Sequence, residues 1–211
     1  MKWFDEGIGG GGGENGIVIY PNLQTFRQVY AKYVKDQLAT KELEEEKDED
    51  DDNNNSKGNG QSKPRIILIA TFYETVDSVK QCLRAVGVKD IQSLIDNGSL
   101  VIVDAFSSYY PDINGMKKLV TSLSDSARKE GRVGVTAIVD MGSFFLFVGD
   151  GKATELINYE ASLAPKTEGG NVRCFSCYHV GNYDTLKDNQ KEELAEKGKR
   201  LLEITESTII S

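Results

Sequence analysis

Residues Arg65 to Thr71 read RIILIAT, a run that is apolar throughout its middle. A strand with one wet face alternates apolar and polar side chains, whereas a strand covered on both faces has no polar face to show. The run therefore predicts a buried strand of the kind found in parallel sheets. The same signature recurs outward from it in Ile17 to Tyr20 (IVIY), Ser99 to Ala105 (SLVIVDA), Val133 to Met141 (VGVTAIVDM) and Val172 to Val180 (VRCFSCYHV). Helical stripes lie between these runs. Pro21 and Asn22, the latter suited to cap a helix start, precede Leu23, Phe26, Val29, Tyr30, Tyr33, Val34 and Leu38 at spacings of three and four. Val76, Val79, Leu83 and Val86 form a second stripe, stopped by Gly87. A short helix over 90–95, one over 114–130, one over 152–163 and a mostly charged one over 184–203 complete the pattern. Five apolar strands alternating with helices predict an α/β fold with right-handed crossovers and a largely parallel sheet sandwiched by helices.

Composition bounds the organisation. The 211 residues suffice for one α/β domain over 17–205, after a flexible, glycine-rich segment over 1–16 that holds the run Gly9 to Gly13. Glu42 to Ser62 interrupts the domain with almost nothing apolar to bury, so a disordered acidic loop is expected there. It reads as a tolerated insertion, since long surface loops cost little stability, with an acidic docking segment for a basic partner as the alternative. Residues 42–52 hold nine acids and one lysine, which accounts for the whole formal charge of -8. The remainder is neutral, without the basic surface expected of a direct nucleic-acid binder. No apolar run reaches 18 residues, and the start MKWFDEGIGG lacks a signal-peptide layout, so a cytoplasmic protein with no membrane contact is expected.

In an open parallel sheet the ligand cleft lies at the carboxyl ends of the strands, where strand order reverses. That rule selects Tyr20 and Asn22 after the first strand, and Thr71, Tyr73 and Glu74 after the second. Asp104 and Ser107 follow the third, Asp140 the fourth, and Tyr178 and His179 the fifth. Rings with scattered hydroxyls and carboxylates suit a small organic ligand better than a polyanion.

Asp104 and Asp140 each end an apolar strand (LVIVD, TAIVD). In a nucleotide hydrolase such a carboxylate holds magnesium or positions water, opposite a GxxxxGK[ST] loop that follows a strand. After IVIY the chain reads PNLQTFRQV, with no glycine and no lysine, and Gly9 to Gly13 precede the strand. A carboxylate at a strand end also serves as a loop anchor, and for Asp140 both readings stand. Cys174 and Cys177 match C-x-x-C, but residues three apart on a strand face opposite ways, so structural cysteines are expected and no metal site. His179, the single histidine, is either a ligand contact or an ordinary hydrogen-bonded side chain.

The order of segments resembles the MEDS domain, the methanogen and methylotroph sensory domain, a degenerate relative of RecA- and KaiC-like ATPases that lacks the Walker A loop. The stretches that carry it are GIVIYPNLQTFRQVYAKYV, SLVIVDAFSSYY, VGVTAIVDMGSFF with INYEASL behind it, and CFSCYHVGNYDTL. The resemblance makes Asp140 the counterpart of the acidic residue that ends the Walker-B-like strand. Tyr159 and Glu160 match the Tyr-Glu pair of the next helix, and Cys177 with Tyr178 the Cys-x-Tyr segment. Where the family tends to carry a histidine before its first strand, this chain has Glu14, Asn15 and Gly16. The resemblance implies a RecA/KaiC-like fold without the P-loop and a non-catalytic sensory or regulatory role. No catalytic residue and no resident cofactor is expected, and the partner is a small-molecule ligand or a signalling protein. A divergent ATPase binding nucleotide and magnesium, and an interaction module that forms homo-oligomers, are the rival expectations.

Overall fold

The computed structural model describes residues 15–48, 63–108, 113–145, 152–162, 172–198 and 201–204. Among the described residues six strands form one sheet: β1 (Asn15–Tyr20), β2 (Ile66–Thr71), β3 (Leu100–Asp104), β4 (Val135–Asp140), β5 (Val172–His179) and β6 (Leu201–Glu203). Their order is β3-β2-β4-β5-β1-β6, and every neighbouring pair is parallel. β1, β2 and β4 are buried at every position, as their largely apolar sequences lead one to expect.

The helices are α1 (Leu23–Asp48), α2 (Val76–Ala85), α3 (Ile91–Asp96), α4 (Ala105–Ser108), α5 (Ile113–Lys129), α6 (Lys152–Ser162), α7 (Val180–Tyr183) and α8 (Asp188–Lys197). The first two crossovers run one way along the sheet and the remaining three run back. A right-handed crossover therefore puts the two sets of helices on opposite faces. One face packs Val18, Tyr20, Ile69, Ile138 and Phe175 under Phe26, Tyr30 and Val34 of α1 and Val79 and Leu83 of α2. The other packs Ile17, Leu68, Ala137 and Tyr178 under Met116 of α5, Leu156 and Tyr159 of α6 and Leu194 of α8. Leu68 and Ile69 are fully buried on opposite faces of one strand, each contributing about 2 kcal/mol by leaving water.

Helix boundaries follow local chemistry. Thr75 caps α2 by accepting from the Ser78 amide, and Gly87 takes a φ of 90° beyond its end, which no β-carbon hinders. Three expectations are corrected. The helix expected over 184–203 is shorter: Asp184 to Lys187 form a turn after the short α7, and α8 runs only from Asp188, where Gln190 accepts from the Lys187 amide, to Lys197. Leu201 to Glu203, expected to end that helix, forms a sixth strand beside β1. The acidic segment expected as loop from Glu42 is helical to Asp48, because α1 is already nucleated and Glu, Leu and Lys extend a helix readily. Residues 49–62 and the run Gly9 to Gly13 lie outside the described residues.

Candidate functional site

The carboxyl ends of β1 and β2 lead into helices on one face, while those of β4 and β5 lead to the other. The order β2-β4-β5-β1 thus places a reversal on each side of the β4–β5 pair, the position where ligands bind in open α/β sheets. Register brings the residues together: Tyr20 lies beside His179, and Asp140 beside Cys177.

Asp140 is the centre. It is 1% exposed and faces the α1 side of the sheet. Its Oδ1 accepts from the Gly142 amide at 2.9 Å, and its Oδ2 accepts from the Tyr20 hydroxyl at 3.3 Å. The backbone amides of Phe72 and Tyr73 lie near enough to favour its charged form. Burial pushes the carboxyl up to about 6, against the pull of these donors, so it is largely ionised at neutral pH. Tyr20 crosses β5 to reach it and stacks on Phe26 of α1 with ring centroids 4.6 Å apart. Burial, then the Asp140 charge, holds the Tyr20 phenol far above its usual range, so the hydroxyl is a fixed donor.

The segment Phe72 to Glu74 straps over this carboxylate. A β-carbon at Gly142 would lie 2.5 Å from Phe72 Cδ1 and from Tyr73 Cε2, so only glycine lets the two rings sit where they do. The Tyr73 ring is 43% exposed, and its hydroxyl accepts from Asn182 Nδ2 at 2.7 Å. At the far end of the strap Thr71 Oγ1 donates to the Glu74 carbonyl, and Arg27 Nε donates to Glu74 Oε2 at 2.8 Å. Ser78 Oγ donates to the same carboxylate oxygen at 3.1 Å and accepts from Arg27 Nη2.

The expected site residues divide. Tyr20, Thr71, Tyr73, Glu74, Asp140 and His179 gather at the ends of the central strands. His179 lies edge-on to Tyr20 at 5.5 Å and 6.0 Å from Tyr73, and its Nδ1 accepts from the Gly181 amide, capping α7. Asn22 serves as a cap, its Oδ1 accepting from the Thr25 amide at 2.8 Å. Asp104 accepts from Ser107 Oγ at 3.1 Å on edge strand β3, two strands and about 10 Å from Asp140. Tyr178 points to the opposite face, where its hydroxyl donates to Glu160 Oε1 at 2.9 Å. Cys174 and Cys177 face opposite sides of β5, as alternation requires. Among the described residues no three of His, Cys, Asp and Glu converge to hold a metal ion.

Gly142, Asn182 and Arg27 were not singled out by sequence reasoning, although they hold the strap. A glycine two residues after a buried strand-end aspartate was the available signal for the first. Asn182 and Arg27 carry none that separates them from other surface polar residues.

No protein-family model and no curated protein matches the sequence. Among solved structures, a protein of Pyrococcus horikoshii OT3, described as the subject of a structural study, is similar over 92% of this chain and 83% of its own, with a TM-score of 0.52 at 12% identity. At that identity the likeness is one of fold alone. This chain has a Rossmann-like α/β fold with an all-parallel sheet flanked by helices.

Proposed function

We propose that this protein is a non-catalytic sensory or regulatory module that binds a small molecule or a signalling partner at the carboxyl ends of the central strands. The observation that carries the reading is the state of Asp140. A carboxylate that holds magnesium in a nucleotide hydrolase needs free lone pairs facing a phosphate loop. Here the Gly142 amide holds Oδ1 and the Tyr20 hydroxyl holds Oδ2 of a carboxylate that is 1% exposed, so neither oxygen faces an open phosphate site. β1 runs through Pro21 into a helix capped by Asn22, leaving no room for a phosphate cradle.

The resemblance to the MEDS domain agrees with this reading. Asp140, Tyr159 and Glu160 are buried side chains of the layers on either side of β5, and Tyr178 donates to Glu160. No described helix is long and apolar enough to cross a membrane, which fits the cytoplasmic site of action proposed here. Calorimetry with ATP, with and without magnesium, tests the reading alongside thermal-shift measurements against small metabolites. Stabilisation by an organic metabolite and none by millimolar nucleotide is expected. ATP turnover that disappears in Asp140→Asn would replace the reading with that of a divergent ATPase.

A further inference from the structure

We propose that Arg65 and Arg173 form a second binding site, at the amino ends of β2 and β5, for an anion of the phosphate class. It lies at the opposite end of the sheet from the Asp140 cleft and does not depend on what binds there.

Topology brings the two arginines together. Arg65 directly precedes β2 and Arg173 is the second residue of β5, with β4 running between the two strands. Alternation puts Arg173 on the face of Phe175 and Arg65 on that of Ile67, the α1 side for both. Arg65 reaches over β4, where its Nη1 donates to the Val135 carbonyl at 3.2 Å. The next residue, Thr136, is the register partner of Arg173. Two guanidinium groups thus come to one short stretch of β4. Behind them Tyr33 of α1 donates to Thr136 Oγ1 at 3.3 Å and sets its ring edge-on to Phe175, forming a buried wall.

What sets the pair apart is a missing counter-charge. Arg27 and Arg132 each hold a carboxylate, that of Glu74 and that of Glu130. Among the described residues no carboxylate pairs with Arg173, and its Nε is enclosed without an acceptor. An N–H in that state costs free energy that a ligand oxygen would recover. The neighbour adds to the cost. Burial, then the charge of Arg173, pulls the Arg65 guanidinium down to about 10, which still leaves it a cation at neutral pH. A carboxylate would balance one of the two charges. A phosphate group, close to doubly charged at neutral pH, balances both, and its oxygens accept from two guanidinium forks at once.

The test uses the full chain in phosphate-free buffer, with inorganic phosphate, phenyl phosphate and acetate as probes, each set against sodium chloride at equal ionic strength. Binding is read by calorimetry and by the NMR signal of the Arg173 Nε–H. Inorganic phosphate is expected to bind with a dissociation constant on the order of 1 mM, the worth of two charge-assisted hydrogen bonds, and to shift that signal saturably. Arg173→Gln and Arg65→Gln should each weaken binding at least about tenfold. Arg173→Lys keeps the charge and loses the Nε donor, and should fall between the parent and Arg173→Gln. Tighter binding of phenyl phosphate marks a phosphomonoester as the ligand and tighter binding of inorganic phosphate the free ion; either supports the site. No binding of either phosphate at ~10 mM, a response that sodium chloride reproduces, or binding untouched in both glutamine variants overturns the proposal. Acetate binding as tightly as phosphate overturns the phosphate class. An Arg173 Nε–H signal that moves when the acids of residues 42–52 are replaced by amides, with no phosphate present, assigns the anion to the chain itself and overturns the proposal as well.

Discussion

Two carboxyl groups are buried on opposite faces of the same sheet, and the protein treats them differently. Asp140 faces the α1 layer at the end of β4 and has a donor on each oxygen, the Gly142 amide on Oδ1 and the Tyr20 hydroxyl on Oδ2. Glu160 sits on α6 against the other face, 1% exposed, with the Tyr178 hydroxyl on Oε1 and no partner for Oε2. Burial pushes both upward, Asp140 to about 6 and Glu160 to about 7. At neutral pH the first is therefore mainly an anion and the second shares its proton with solvent. The comparison teaches that depth alone does not set the role of a buried acid. Donors from the ends of β1 and β4 occupy both oxygens of Asp140, whereas Glu160 is held by packing and one hydroxyl.

The comparison can be broken most sharply at Asp140. Asp140→Ala leaves the Tyr20 hydroxyl and the Gly142 amide without an acceptor, and a loss of about 2–4 kcal/mol is expected in urea denaturation. A loss below about 1 kcal/mol would show that water reaches these donors freely.

Glu160 should behave in the opposite sense. Its folded-state value of about 7 lies above the ordinary 4.5, so the folded protein keeps a proton that the unfolded chain has released. The stability this confers is whole below pH 4.5 and is lost as pH rises to about 7. Glu160→Gln abolishes that loss. Relative to the parent it should be near neutral at pH 4 and more stable at pH 8, by up to about 3 kcal/mol. Equal effects at both pH values would remove proton linkage at this site.

Smaller effects sharpen the picture. Gly142→Ala forces a β-carbon against Phe72 and Tyr73, and a cost of about 1–3 kcal/mol is expected, with faster exchange confined to the strap amides. Tyr178→Phe takes away the hydroxyl that favours ionised Glu160 and should cost about 1 kcal/mol at pH 8 while moving the Glu160 titration further upward. Carboxyl carbon shifts in NMR read both titrations directly.

How much of this was legible beforehand follows from the range of the forces involved. The five long strands were visible because burial on both faces leaves an apolar run that neighbours in sequence alone define. β6 was not, since three residues beside one partner carry too little pattern and the charged helix before them masked it. The acidic stretch misled for a related reason: charge density argues for solvation, yet a helix already begun at Leu23 extends through such residues at little cost. For the site, the strand-end rule found Asp140, Tyr20, Tyr73 and His179. It could not separate them from Asp104 or Tyr178, because convergence depends on strand order and on the face each side chain takes. Tyr20 and Asp140 lie 120 positions apart and meet only because β5 inserts between β1 and β4.

That insertion governs how the molecule comes into being. β1 precedes the other described strands along the chain, and its neighbours in the described sheet are β5 and β6, the two that come last among them. On a ribosome adding about 5–20 residues per second, the apolar IVIY run waits roughly 150 residues, on the order of 10 to 30 seconds, for a partner. The segment β2 to β4 can form its own three-stranded ladder meanwhile, leaving β4 with an open flank. β5 then closes two gaps at once. Ribosomes stalled just short of Val172 should carry a nascent chain that proteases cut readily near β1, and that protection should arrive in one step once β5 has emerged.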